Sequence, residues 1–175
     1  MRYLSVLFVS IFFACIVGVG VSVADPLRAE AAGGGYAARC GGGKIFLDAA
    51  ELRTFALHND ARRDRKLRAF CVHPDLQQAA RKHTRDMIRR SYFSHITKGT
   101  NSGSCDRIRR QGYRYRYCAE NIGYNSTPGR MFNVWMNSSG HRSNILNSKY
   151  REIGIGAAKK GPINTMFTVD FGTRF

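Results

Sequence analysis

The sequence predicts an α+β domain, an antiparallel sheet covered by helices, and three observations carry that reading. Two C-terminal apolar stretches, residues 153–157 and 163–171, read as strands joined by the turn Gly161-Pro162, and strands joined so closely pair antiparallel. Upstream, apolar residues recur at helical spacing behind start signals at Asp48, Pro74 and Thr127-Pro128. Between these helices, residues 113–117 alternate tyrosine with arginine, the periodicity of a strand. The resulting order is helix, helix, short helix, strand, helix, strand, strand, which buries one sheet under its helices.

The first two dozen residues differ from all the rest. Arg2 precedes an apolar run from Leu4 to Val23 that closes with Ser22-Val23-Ala24. Residues 1–24 therefore read as a secretory signal cleaved after Ala24. Residues 4–23 are also long enough to remain as a membrane anchor, although the small residues at the exit favour cleavage. Either outcome places the domain outside the cytoplasm: secreted, periplasmic or held at the cell envelope. Residues 25–46, with Gly33-Gly34-Gly35 and Gly41-Gly42-Gly43, read as a Gly/Ala-rich linker pinned only at Cys40. Residues 47–175 form the domain, of ordinary size for a single core.

Beyond the leader stand four cysteines, and an even number in an exported chain predicts two disulfides. Three pairings are open, and the sequence does not choose among them. The expected one joins Cys105 to Cys118 and Cys40 to Cys71. The first bond closes a short loop, stabilising by roughly 3 kcal/mol through the unfolded state. The second ties the N-terminal segment to the core. The chain has no C-x-x-C, so no cysteine-based zinc site is expected.

The first helix starts at a capping box, Asp48 with Glu51, and turns Leu52, Phe55, Ala56 and Asn59 inward. Asn59 is expected as a buried amide with its partners in place. Arg62, Arg63, Arg65, Lys66 and Arg68 load the helix end, where the dipole favours cations. Pro74 and Asp75 open a second helix, to about Arg90, with the stripe Leu76, Ala80, His83 and Met87. His83 inside that stripe is expected to be a hydrogen-bonded core residue. Tyr92 and Phe93 are expected to anchor in the core, holding His95 on the following loop, a position more often functional than a stripe position. A short helix from Cys105 ends at Gly112.

The alternating strand sends its tyrosines and arginines to opposite faces, which argues against a nucleic-acid stacking platform. Glu120 follows at the strand end, placed either for a cleft or as an acceptor in a turn. Met131, Val134, Trp135 and Ser138 line the next helix. Ser138-Ser139-Gly140 interrupts that helix and a new one begins at once, so His141 stands at a helix N-terminus. The dipole there disfavours imidazolium, and a neutral ring suits a metal ligand, a hydrogen-bonding site residue or a simple cap.

Lys and Arg number 28 against 12 Asp and Glu, a formal net charge of +16, weighted to residues 53–116. Most of this charge reads as solvated helix faces. The remainder predicts attraction to a polyanion such as anionic lipid or cell-envelope polymer.

Four motifs occur together: Phe93-Ser94-His95, Glu120-Asn121-Ile122, residues 135–146 (WMNSSGHRSNIL) and Ile153-Gly154-Ile155-Gly156. In this order they resemble the CAP superfamily, the SCP domain of cysteine-rich secretory and plant pathogenesis-related proteins, in its bacterial branch. The resemblance covers about residues 47–172. It implies an α-β-α sandwich, with a central antiparallel sheet flanked by helices and an open cleft. It further implies that His95, Glu120 and His141 converge there and hold a divalent cation such as Zn2+. The family's fourth position, an acid, falls near Ser138, where this chain has no carboxylate. Two histidines and one carboxylate still suffice for zinc with one position open. The function implied is an exported protein binding an apolar or anionic ligand (a lipid, a sterol or an envelope fragment) in that cleft. The alternative is a metal-dependent hydrolase with a His-Glu-His zinc site. That alternative lacks a visible general base, since Glu152 is expected on the surface. Nucleic-acid binding rests on charge alone and ranks last.

Overall fold

A computed structural model describes residues 33–175; the leader and residues 25–32 of the linker lie outside the described residues. No helix among the described residues is long and apolar enough to cross a membrane. The elements are β1 (Gly35–Ala38), β2 (Lys44–Leu47), α1 (Ala49–Arg63), β3 (Cys71–Val72), α2 (Pro74–Arg89), α3 (Ser104–Arg110), β4 (Tyr115–Asn125), α4 (Pro128–Asn137), α5 (Ser139–Leu146), β5 (Glu152–Lys160) and β6 (Asn164–Arg174).

The main sheet runs β3-β5-β6-β4. β6 pairs antiparallel with β5 and with β4, while two-residue β3 adds a parallel edge to β5. Helices α2 and α3 cover one face, and α1, α4 and α5 cover the other. This is the expected α-β-α sandwich. Its β6 strand sorts its residues by parity. Phe167, Val169 and Phe171 pack with Trp135 and Ile145, whereas Met166 joins Met87 and Thr168 bonds Thr84 beneath α2.

Local chemistry starts the helices where it should. The Glu51 N–H donates to Asp48 Oδ1 at 2.8 Å and the Asp48 N–H to Glu51 Oε2 at 3.1 Å, closing the capping box. Thr127 caps α4 ahead of Pro128, and His73 caps α2 ahead of Pro74. Asn59 meets Phe70 twice, accepting from its N–H at 2.7 Å and donating to its carbonyl at 3.2 Å.

The Ile153-Gly154-Ile155-Gly156 motif has a packing reason. A Cβ on Gly154 would strike the backbone of Leu76 and Gln77, and one on Gly156 that of Ala80, so α2 lies directly on β5. β3 pairs only with Glu152 and Ile153, which leaves Ile155 without a strand neighbour on that side. The Gln77 amide supplies the missing partner. It donates to the Ile155 carbonyl at 2.6 Å and accepts from the Ile155 N–H at 2.8 Å.

Both disulfides form as expected, Cys40–Cys71 with Cα atoms 5.0 Å apart and Cys105–Cys118 at 5.9 Å. Three readings need correction. From Gly35 onward the supposed linker is an antiparallel hairpin with Ala37, Cys40 and Leu47 buried. Gly41, Gly42 and Gly43 form its turn at positive φ, so these glycines serve backbone geometry rather than flexibility. Arg62 is not a solvated helix-end cation but wholly buried. It donates to the carbonyls of Arg68, Ile145, Asn147 and Tyr150 and lies 4.0 Å over the Phe70 ring. It thereby ties α1 to the end of α5. Glu152 is buried rather than on the surface, accepting from the Tyr113 hydroxyl at 2.6 Å and pairing with Arg174 at 3.0 Å.

Candidate functional site

β4 is an edge strand, so its alternate residues reach both helix layers beside open space. Ile122 joins the Met87 cluster on the α2 side. On the other side, the Asn121 amide donates to the His141 carbonyl at 3.1 Å, and the Trp135 indole donates to the Ile122 carbonyl at 3.1 Å. These bonds fix α4 and α5 along the strand that carries Glu120.

Glu120 is buried, and both its oxygens are taken. His95 Nδ1, on the loop after α2, stands 2.8 Å from Oε1. Arg107 of α3 donates from Nη2 to Oε2, and from Nη1 to the His95 carbonyl at 2.8 Å. His83 Nε2 donates to the Ser94 carbonyl at 3.0 Å and lies 4.0 Å from Glu120 Oε2. Burial alone would raise the Glu120 carboxyl. The His95 hydrogen bond and the Arg107 charge outweigh it and hold the group below the usual carboxylate range. Burial lowers His83, against the pull of Glu120.

Opposite Glu120 in the β4–β6 register stands Asp170, fully buried. Neither of its oxygens has a donor among its neighbours. Burial, then the charge of Glu120, push the Asp170 carboxyl well up.

His141 is the third residue of α5. Its Nδ1 is 2.8 Å from Ser138 Oγ, and the Asn144 amide donates to Asn121 Oδ1 at 2.8 Å. Burial and then the charge of His95 lower the His141 pKa. The neutral ring expected at this helix start is therefore favoured, with desolvation as its main cause. Ser138, at the position of the missing acid, holds the His141 ring instead of offering a carboxylate.

Of the three expected ligands, His95 and Glu120 are in direct contact, and His141 is tied to the same strand through Asn121. Glu120 engages His95 through Nδ1 and His141 engages Ser138 through Nδ1, so each ring keeps Nε2 for a ligand. A divalent cation held here would draw on those two Nε2 atoms. It does not fit Glu120 as placed, because Arg107 and His95 occupy both oxygens. Among the described residues the group of three His, Cys, Asp or Glu residues with ligand atoms within 4.8 Å of one another is Cys40, Cys71 and Glu152, where both sulfurs are bound in a disulfide.

Phe93 does not anchor in the core as expected: it is 46 % exposed and meets Tyr124 edge-on at 5.3 Å. Tyr92 does the anchoring, half-buried, with its hydroxyl donating to Asp86 at 2.7 Å. Sequence reasoning missed Arg107 and Asp170. Arg107 is hidden in an arginine run, but Asp170 left a signal, an acid between Val169 and Phe171 in an apolar strand.

A three-layer sandwich with a histidine–carboxylate–arginine cluster at its edge strand defines the class of fold and site. Residues 55–171 match the profile of the family described as "CAP: Cysteine-rich secretory protein family", and the chain belongs to that family. It is 33 % identical over 120 residues to the uncharacterized protein YkwD of Bacillus subtilis, covering 68 % of this chain and 46 % of that one. An extracellular SCP-domain protein from Bacillus anthracis shares the fold at a TM-score of 0.64 and 23 % identity, covering 76 % of this chain and 47 % of that one. An outer surface protein from Borrelia burgdorferi does so at 0.64 and 19 %, covering 69 % and 90 %. The chain thus spans about half the length of the two Bacillus relatives.

Proposed function

We propose that this chain is an exported CAP domain that binds its ligand at the His95–Glu120–His141 edge and does not cleave it. The observation that carries the reading is the engagement of both Glu120 oxygens. A hydrolase of this design needs a carboxylate oxygen free to take a proton from water. Glu120 is held by Arg107 and His95, and Asp170 is sealed from solvent, its carboxyl pushed up by burial. The ligand class is suggested by what surrounds His95. Phe93, Ile96 and Tyr124 are each about half exposed, an apolar rim suited to a lipid or sterol. The net charge of +16 favours an anionic head group or envelope polymer. Export is supported by the signal-like leader and by relatives described as extracellular or outer-surface proteins.

A divalent cation such as Zn2+, when bound, supplies a Lewis-acidic point for an anionic or carbonyl group of the ligand. His95 and His141 would hold it through Nε2, with Glu120 keeping the His95 ring in its tautomer and orientation. Purification without added zinc, followed by metal analysis, tests this part. Zinc is expected in the parent and absent from His95→Ala and His141→Ala; unchanged content in both variants removes the cation. Retention of a fluorescent fatty acid or sterol tests the binding part, with Phe93→Ser expected to weaken it. Turnover of ester or phosphodiester substrates that disappears in Glu120→Gln would overturn the non-catalytic reading.

A further inference from the structure

Another part of the molecule gathers charge, most of it with no role in the site above. Helices α2 and α3 flank an open cavity of about 640 Å3. Its walls include Lys82, Arg85, Arg89, Arg90, Arg107 and Arg110, with Asp86 as the carboxylate on the α2 side. Lys82, Arg85 and Arg89 follow one another at helical spacing on α2, and Arg107 and Arg110 do so on α3. A solvated face would spread such cations outward. Here two helices turn the same sign toward one hollow, which favours an anion between them. Asp86 offsets part of that charge, pairing with Arg89 and Arg90 and accepting from the Tyr92 hydroxyl.

Two nitrogens of the cavity residues are also buried without a partner: Arg107 Nε and His83 Nδ1. Arg107 cannot lose its proton, so its Nε–H is a donor lacking an acceptor. His83 is held through Nε2 by the Ser94 carbonyl. Among these cations a ligand group needs several acceptor oxygens and more than one negative charge. A phosphate monoester or diphosphate has both near neutral pH. A sulfate ester or a carboxylate carries a single charge.

We infer that the α2–α3 cavity is a binding site for a phosphate-bearing ligand. This goes beyond the reading of the His95–His141 edge, with which it shares only Arg107 and His83, and either can fail without the other. The same chemistry is found on a soluble diphosphate and on a phosphomonoester lipid head group.

Calorimetric titration of the full chain with pyrophosphate tests the site, alongside sedimentation with phosphatidylcholine vesicles with and without phosphatidic acid. Pyrophosphate is expected to bind saturably with one site per chain. Replacing exposed cations of the cavity, Arg85→Gln with Arg89→Gln, should weaken it about tenfold or more. The control pair Arg65→Gln with Arg68→Gln removes the same charge from the exposed end of α1 and should change it by about twofold or less. Vesicle retention that requires phosphatidic acid and is displaced by pyrophosphate supports the site with a lipid source. Pyrophosphate binding without vesicle retention supports it with a soluble source. Equal weakening by both pairs, or binding that never saturates, overturns it and leaves only the attraction of net charge.

Discussion

On one face of β6, Phe167, Val169 and Phe171 are wholly buried against Trp135, Ile145 and Phe70. On the other, Met166, Thr168 and Asp170 are as deeply buried beneath α2, yet two of these three are polar. The apolar face gains from every contact it makes. The α2 face accepts two buried carboxyls side by side, with Arg107 and His95 around Glu120 and burial pushing Asp170 up. Polar groups without water are tolerated when the scaffold behind them is rigid, and here one strand provides scaffold and site together. The difference separates what holds the molecule from what it offers a ligand.

The largest effect that sharpens this contrast is on the apolar face. Trp135→Ala should lower unfolding stability by roughly 4 kcal/mol, read by urea denaturation. A much smaller loss would mean that the two faces share the work of stabilisation. Next comes Arg107→Ala, expected to cost about 3 kcal/mol by leaving Glu120 charged, buried and short of a partner. Adding Glu120→Gln should return part of that loss, and no return would show that Glu120 is not ionised.

Acid should then find the apolar face through its single imidazole. His58 is wholly buried among Phe132, Trp135 and Phe171, and burial lowers its pKa to about 4. The unfolded chain takes up a proton first, so the contribution of His58 is complete above its unfolded pKa and is lost as pH falls through the folded one. The loss approaches roughly 3 kcal/mol. Thermal midpoints measured across this range should flatten in His58→Gln. The smallest effect belongs to Asp170, whose raised pKa makes the folded state less favourable as pH rises. Asp170→Asn removes the ionisable group and with it that penalty, so its melting temperature relative to the parent should improve more at pH 7 than at pH 4.

Features set by neighbours along the chain were legible in the sequence. The Asp48–Glu51 box, the Thr127-Pro128 start, the α4–α5 break before His141 and the alternation of β6 each depend on a few adjacent residues. The hairpin of β1 and β2 was not, because its glycines signal a turn and a linker equally well, and its apolar residues are few. Arg62 and Arg107 look like any other arginine in a basic run. Their burial follows from carbonyls and a carboxylate that arrive from distant elements, Ile145 and Tyr150 for one and Glu120 for the other. Asp170 joins the site through strand register, which no local pattern reports. His95, Glu120 and His141 were found through their motifs, and the engagement of both Glu120 oxygens was seen only once α3 was in place.

The amide of Gln77 imitates a neighbouring strand at Ile155, and this has a consequence for how the protein behaves in company. An unpaired stretch of backbone on an apolar strand invites another chain to add to it, the first step toward fibrils. A single side chain closes that opening. Gln77→Ala would leave the Ile155 N–H and carbonyl without partners, and thioflavin fluorescence on prolonged incubation is expected to rise above that of the parent.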